Sequence, residues 1–187
     1  MGTGQMMLTI VGMMLLGNII LTANRGINNI QQTMMTSGYD IDAISLAKST
    51  IDRAQDLAFD EKTSDSTWVG SLANLTLPTN LGQENGNAND LDDYDDFNGL
   101  SHGGKYYRVE IDTIKQTGFI YKDSTTVKYV TRRLSDGALI PSSATATWTK
   151  QLDVWVYLWG FNSGKIVDPG VYRPDTVHMV DIFSYWY

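Results

Sequence analysis

Residues 6–23 read MMLTIVGMMLLGNIILTA, an apolar run in which no side chain is ionisable. The residues before it are uncharged as well, so Arg25 carries the first charged side chain. At about 1.5 Å per residue, a helix of this length spans about 27 Å, barely the thickness of a bilayer's hydrocarbon core. The rest of the chain is polar. The sequence therefore predicts one apolar helix on an otherwise soluble domain, and the use of that helix decides the function.

Three uses of the apolar run are open, and its flanks distinguish them. A cleavable signal peptide has basic residues before the run and a small-x-small cleavage site after it, and neither is evident here. A plain membrane anchor usually has an unbroken aliphatic stretch with flanking positive charge. Here Gly12, Gly17, Asn18 and Thr22 interrupt the run, and small residues allow helices to approach closely. The pattern favours packing against copies of the same helix over a plain anchor, and an anchor over a signal peptide.

The helical pattern continues beyond the apolar run. Apolar residues recur at spacings of three, four and seven, at Ile27, Ile30, Met34, Ile41, Ile44, Ile51, Ala54 and Leu57 or Ala58. This stripe predicts one long helix over residues 1–58, with Gly38 as the point where it is most easily broken. Within it, residues 1–25 form the hydrophobic membrane or filament-core segment. Residues 59–187 are predicted to form a globular β-rich head domain.

The head domain begins with a polar segment and continues with strand patterns. Turn-forming residues dominate from Phe59 to His102 and predict loops. Alternating or β-branched stretches then predict strands at 106–111, 118–121, 126–131, 145–158 and 177–187. In the fourth of these, Leu152, Val154, Val156 and Leu158 fall on one face. The fold class expected is α+β, a long N-terminal helix packed on a C-terminal antiparallel sheet.

The acidic stretch before the first strand adds a second signature. Asp92 to Leu100 reads DDYDDFNGL. An uncharged apolar N-terminus, a long amphipathic helix, this stretch and the strands beginning at Tyr107 and Lys150 follow one another in an order that resembles type IV pilins and pseudopilins. The stretch resembles the DDxDDFNG segment before the first strand of that family; each feature alone is moderately specific, and their order strengthens the resemblance.

The resemblance implies a structural role. Subunits of this family bundle their N-terminal helices into the core of an extracellular filament, with the sheet domains outside, and wait in the cytoplasmic membrane before assembly. The implied partners are other copies of this chain and a membrane assembly machine with an ATPase, and no reaction is catalysed. Two alternatives remain open: a secretion-system pseudopilin, or a membrane-anchored extracytoplasmic domain that binds calcium or glycan.

Four positions are candidates for assembly: Met1, Gln5, Gly12 and Gly17. The family usually carries a glutamate five residues from its processed N-terminus, where it neutralises a neighbouring subunit's amine. If Met1 is the processed first residue, Gln5 occupies that position, and its amide accepts a hydrogen bond without cancelling charge. We expect Met1 to be such a processed N-terminus, with N-methylation left open. The helix-breaking proline of the family is replaced here by Asn24-Arg25-Gly26.

Composition narrows the remaining chemistry. The net charge of −7 argues against nucleic acid as a partner, and the absence of cysteine excludes disulfides and thiolate sites. The two histidines, His102 and His178, lie in no catalytic motif, so ordinary structural roles are favoured. Asn74-Leu75-Thr76 is a glycosylation sequon on a predicted loop.

The acidic residues Asp92, Asp93, Asp95 and Asp96 form the one concentration of candidate metal ligands. Hard oxygen ligands at this density suit calcium, although the spacing of an EF-hand is missing. The favoured interpretation is a solvated loop that shapes the turn into the sheet, with a calcium site as the alternative. No other cofactor is expected.

Overall fold

A computed structural model of the chain describes residues 2–64, 69–83, 91–99, 107–112, 117–161 and 176–185. Helix α1 spans Thr3–Gln55, 53 residues without a break. Gly38 lies inside it, since a single glycine weakens a helix without necessarily ending it. The expected long N-terminal helix is therefore present, and it ends three residues before the predicted Ala58.

The side of α1 that is buried coincides with the predicted stripe only near its end, at Ile51 and Ala54. Ile27, Ile30, Met34, Ile41 and Ile44 are all exposed in this chain. The buried side begins only after Asp42 and consists mainly of small side chains, namely Ala43, Ala47, Thr50, Ile51 and Ala54. Periodicity identifies apolar sides of a helix but cannot tell which of two adjacent sides packs within the chain. Small residues pack here because they allow a close approach.

The chain divides into two compact units, residues 1–41 and residues 42–187. The division falls inside α1 rather than at its end, where the sequence placed the head-domain boundary. The last part of α1 thus belongs with the second unit. A short helix, α2 (Glu61–Ser64), follows it.

The second unit contains an antiparallel sheet. Its strands are β1 (Tyr107–Asp112), β2 (Thr117–Arg132), β3 (Leu139–Pro141), β4 (Thr149–Phe161) and β5 (Val177–Ser184). Their order is β1-β2-β4-β5, and β3 pairs with β2. Every pairing is antiparallel, which suits connection by hairpins. The expected α+β class is confirmed.

The strand boundaries correct the sequence analysis in two places. The strands predicted at 118–121 and 126–131 are parts of one 16-residue strand, β2. Asp123 and Thr125, which lie between the two predicted strands, are buried on the inner face of the sheet. Strand β3 was not predicted, because three residues are too few to show alternation.

Register determines which side chains share the inner face. Val127 of β2 is paired with Leu152 of β4, and Tyr129 is paired with Lys150. On the other side of β4, Lys150 is paired with Phe183 of β5. The buried Leu152, Val154 and Val156 confirm the predicted inward face, while the side chain of Leu158 lies outside the described residues. Lys150 thus continues a row of inward-facing aliphatic positions.

An apolar cluster surrounds this end of the inner face. Its buried members are Phe59, Val69, Leu75, Tyr129 and Ala146, and Leu81, Trp148, Phe183 and Tyr185 pack against them. The ring centroids of Phe59 and Phe183 are 5.8 Å apart, and those of Phe59 and Tyr185 are 5.5 Å apart. Such aromatic packing excludes water from the adjoining polar groups.

Candidate functional site

The acidic segment closes on itself through its own carboxylates. Asp96 Oδ2 accepts a hydrogen bond from the backbone N–H of Asp92 at 2.9 Å, and Asp93 Oδ1 accepts one from the N–H of Asp96 at 3.0 Å. The segment also pairs with the chain that follows α1, because the Tyr94 N–H donates to the Ala58 carbonyl at 2.8 Å. Asp93 to Phe97 are all buried. The expectation of a solvated loop was therefore wrong.

The residues FNG fix this segment to the sheet. The Asn98 side-chain oxygen accepts from the N–H of Val127 at 3.0 Å, and its nitrogen donates to the Leu81 carbonyl at 2.9 Å. Gly99 has φ +71°, which favours glycine, and its N–H donates to the Thr125 carbonyl at 3.1 Å. Asn98 and Gly99 therefore hold the acidic segment against β2 through hydrogen bonds. This agrees with the predicted role of the segment as the turn into the sheet.

Lys150 extends from β4 into the centre of this arrangement. Its Nζ is fully buried and contacts Asp60 Oδ2 at 3.0 Å, Asp95 Oδ1, and the carbonyl oxygen of Phe59 at 2.6 Å. The ammonium also lies 4.6 Å from the ring centroid of Phe59 and 5.2 Å from that of Tyr129. Isolated charges are costly to bury, so this ammonium requires the carboxylates around it.

Asp60 is the most completely hydrogen-bonded of these carboxylates. It accepts from the Thr76 N–H at 3.1 Å, from Thr76 Oγ1 at 3.0 Å and from the Tyr129 hydroxyl at 3.1 Å. Burial raises the pKa of Asp60, but the Lys150 ammonium and the hydrogen bonds from Lys150, Thr76 and Lys62 outweigh burial and hold that pKa below its usual value. Asp60 is therefore the carboxyl of this site that stays ionised.

The pKa values of Asp93 and Asp95 are shifted in the opposite direction from that of Asp60. Burial and the charge of Asp95 raise the pKa of Asp93 to about 8. Burial also raises the pKa of Asp95, despite the opposing effect of Lys150. Asp93 Oδ2 and Asp95 Oδ2 receive no hydrogen bond from a donor among the described residues, as expected if one proton lies between the two carboxyls. Burial and the neighbouring Asp95 charge thus favour the neutral form of Asp93.

This arrangement bears on the calcium prediction. The Lys150 ammonium occupies the position among the carboxylates that a cation would take. Within the described part of the chain, no group of three or more acidic or histidine side chains is arranged to hold a metal ion. Asp92 is exposed and takes no part in the buried group. The calcium alternative gains no support from this geometry.

Asp181 of β5 links three parts of the second unit. Its Oδ2 accepts from the Tyr94 hydroxyl at 3.0 Å, and its Oδ1 accepts from Gln55 Nε2 at 2.8 Å. Burial and the neighbouring Asp181 raise the pKa of Tyr94, so this hydroxyl remains a donor. The end of α1, the acidic segment and β5 are therefore joined by one carboxylate.

The outer face of the sheet carries a second polar group. Asp153 contacts Lys128 Nζ at 2.6 Å and His178 Nε2 at 3.0 Å, and the His178 ring stacks on Trp155 at 4.8 Å. Burial raises the pKa of Asp153, but hydrogen bonds from Lys128, Gln151 and His178 outweigh it and lower that pKa. The group is therefore a cross-strand ion pair. The other histidine of the chain, His102, lies outside the described residues.

Of the candidate assembly positions, Gln5, Gly12 and Gly17 lie in the exposed part of α1. The Gln5 N–H donates to the Gly2 carbonyl at 3.0 Å within the first turn. A Cβ added at Gly12 or Gly17 would meet no atom within 4 Å in the single chain, so nothing within the chain requires glycine there. Met1 lies outside the described residues. Among the described helices, α1 is the one long and apolar enough to cross a membrane.

The sequon begins at Asn74, the last residue of a short 3-10 helix, Leu72–Asn74. Asn74 is exposed, but the hydroxyl of Thr76 donates to the buried Asp60. The folded chain thus presents the asparagine while the third residue of the sequon serves the buried group. Glycosylation at Asn74 stays a prediction.

Comparison with protein-family models, with curated proteins and with solved structures finds no significant match for this chain. The buried group around Lys150 was not predicted from the sequence, because a lysine in a strand is ordinarily exposed. A signal existed in the register of β4, because Lys150 is two residues before Leu152 in the inward-facing row. Asp60, in a predicted loop, gave no signal at all.

Proposed function

We propose that this chain is the structural subunit of an extracellular type IV pilus-like filament, which polymerises through α1. The observation that carries the proposal is the exposure of the apolar part of this helix. From Met6 to Leu21 its large apolar side chains are between 47% and 78% exposed in the single chain. Exposed apolar surface of this extent marks an interaction with lipid or protein.

The length of the exposed apolar side favours protein over lipid alone. Exposed apolar residues continue through Ile27, Ile30 and Met34 to Ile44. At about 1.5 Å per residue, Met6 and Ile44 are about 57 Å apart along the helix, nearly twice a hydrocarbon core of about 30 Å. A bilayer covers only part of that length, whereas helices of neighbouring copies can cover all of it.

Local features of the helix suit such packing. Gly12 and Gly17 leave the backbone accessible for a close approach between helices. Thr9 and Thr22 turn their hydroxyls to backbone carbonyls of their own helix, at 2.8 and 2.9 Å, so these groups do not oppose burial between helices. Arg25 is the one charged residue in the first 39 positions of the sequence.

The apolar segment and the head domain take different places before assembly. Before assembly, the apolar segment lies in the cytoplasmic membrane, and the head domain faces outward. Partners are further copies in a helical homopolymer and the membrane machinery that extracts and stacks them. The negative net charge makes nucleic acid an unsuitable ligand.

The test compares filaments from wild type, a Gly12→Leu, Gly17→Leu variant and a Met6→Leu, Met13→Leu control. Leucine at the glycine positions should separate neighbouring helices at a cost of about 1–3 kcal/mol per contact and sharply reduce filament yield. The control keeps the small residues and should assemble normally. Electron microscopy of material sheared from cells, with mass spectrometry of its N-terminus, gives the readout.

Filaments of normal yield and stability from the double glycine variant would contradict close helix packing at these positions. Wild-type chain found only as a membrane-bound monomer would instead favour the plain anchor with a calcium- or glycan-binding domain. Chain confined to short periplasmic assemblies would favour the pseudopilin alternative.

A further inference from the structure

The buried group around Lys150 has the composition of a reacting site as well as of an ion pair. The Lys150 ammonium contacts Asp95 Oδ1, and both side chains are fully buried. Phe59 and Tyr129 place their rings against the ammonium, so the amine is surrounded by aromatic surface and carboxyl oxygen. An amine and a carboxyl held in contact without solvent are the two reactants of an amide.

A proton donor lies beside them. Asp93 is fully buried, its Oδ2 has no hydrogen-bond donor among the described residues, and its neutral form is the favoured one beside the Asp95 charge. The Tyr129 hydroxyl is committed to the Thr76 carbonyl at 2.8 Å and to Asp60. Asp93, two residues before Asp95 in the same buried segment, is therefore the group available to protonate a leaving oxygen of Asp95.

We propose that Lys150 Nζ and Asp95 Cγ form an intramolecular amide bond spontaneously in the folded chain, with release of one water molecule. The inference concerns the head domain alone and does not rest on filament assembly. It assigns Lys150 as nucleophile, Asp95 as electrophile and Asp93 as general acid.

The step balances without a co-reactant. A proton passes from Lys150 Nζ to Asp95, which gives a neutral amine and a carboxylic acid. The amine lone pair attacks Cγ, and the N–C bond forms. Asp60, 3.0 Å from Nζ, accepts the proton that the nitrogen gives up. Asp93 donates its proton to a hydroxyl of the tetrahedral carbon, the C–O bond breaks, and water leaves; no atom is oxidised or reduced.

Asp95 is the electrophile rather than Asp60 because the two carboxyls are stabilised in opposite forms. Asp60 receives hydrogen bonds from Thr76, Tyr129 and Lys150, which keep it anionic and therefore resistant to attack. Asp95 Oδ2 has no such donor among the described residues and adjoins the acid Asp93. The same asymmetry makes Asp60 the base of the reaction.

Two physical effects favour the bond. Groups fixed in reactive contact reach effective molarities of about 10⁵–10⁸ M, which offsets the unfavourable encounter of an amine and an acid in water. The product is a neutral amide, so a buried ammonium and a buried carboxylate both disappear. The link joins residues 55 positions apart and ties the acidic segment covalently to β4.

The experiment measures the intact mass of the purified full-length chain in detergent. The expected wild-type mass is lower than the sequence mass by one water molecule, and digestion should yield a branched peptide joining Lys150 and Asp95. Lys150→Arg and Asp93→Asn should show the full sequence mass and separate peptides. Lys128→Arg, which changes the lysine of the outer-face ion pair, is the matched control and should retain the loss of water.

A further variant separates chemistry from folding. Asp95→Asn should form the same amide with loss of ammonia, so its cross-linked product has the mass of the cross-linked wild type. A wild-type chain with native circular dichroism, the full sequence mass and no branched peptide would overturn the proposal, whatever the variants do. Loss of water in folded Lys150→Arg would overturn it as well, because arginine cannot form this bond.

Discussion

Position 150 holds an ammonium group where the strand pattern calls for an aliphatic side chain. Lys150 is tolerated there because Asp60, Asp95 and the Phe59 carbonyl meet it directly. Removing one member would leave the other charges buried without compensation, which typically costs about 3–5 kcal/mol. Of the acidic motif that looked like a set of ligands for an external cation, Asp95 instead contacts this internal one.

In a chain that has not formed the Lys150–Asp95 amide, the pKa of Asp93 predicts how stability depends on pH. It is raised from 3.8 to about 8 by burial and by the charge of Asp95, so the folded state binds a proton that the unfolded state releases. This contribution is fully present below about pH 4 and is lost as pH rises through about 8. The free energy of unfolding should fall across that window by up to about 1.4 kcal/mol per pH unit.

Denaturant titration of the full chain in detergent at pH 5, 6.5 and 8 measures this slope. Asp93→Asn should flatten it, whereas Asp136→Asn, at an exposed ion pair with Arg133, should leave it unchanged. Asp60 acts in the opposite direction below about pH 4, because its pKa is lowered. A wild-type free energy that rises from pH 5 to pH 8 would contradict a buried neutral Asp93.

At the scale of elements, the acidic segment joins the chain after α1 to β2. Its carboxylates bond to its own backbone and to Lys150, and Asn98 and Gly99 fasten it to β2. Lys150 Nζ already lies against Asp60 and Asp95, where a metal ion would bind, so a metal ion has little to add there. Hydrogen bonds within the chain hold the acidic segment in place.

We therefore expect thermal melting of the full chain to be the same with calcium and with a chelator. The reason is that Lys150 Nζ already occupies the place between Asp60 and Asp95 that a cation would take. Circular dichroism of the β-sheet signal measures the midpoint in both conditions. A calcium-dependent rise of more than about 5 °C, on the order of 1 kcal/mol, that disappears in Asp95→Asn would establish the metal site instead.

Periodicity predicted the elements better than it predicted their surroundings. The uncharged run and its continuation predicted α1, and alternation in β4 predicted the inward Leu152 and Val156, because both signals are local. The division of β2 into two strands failed because polar residues between them, Asp123 and Thr125, are buried within one continuous strand. The buried group around Lys150 depends on residues distant in sequence, which no local pattern reveals.

At the scale of the whole molecule, the two compact units differ in whether their apolar side chains are buried within the chain. Residues 42–187 bury an internal core of aliphatic, aromatic and paired charged side chains. Residues 1–41 leave their apolar side chains exposed, so their stable environment has to come from lipid or from other chains. The proposed filament supplies both environments in turn, the membrane first and then neighbouring helices.

Cysteine cross-linking in assembled material tests that claim most directly, because the chain contains no cysteine of its own. Single variants Ile30→Cys and Met34→Cys place a thiol on the exposed apolar side of α1, beyond the span that a bilayer covers from Met6. Leu134→Cys, at a fully exposed head-domain position, is the control. If α1 packs against copies of itself, mild oxidation of intact cells should link the helix variants into dimers far more than the control. Monomers from both helix variants, at the level of the control, would contradict the filament account.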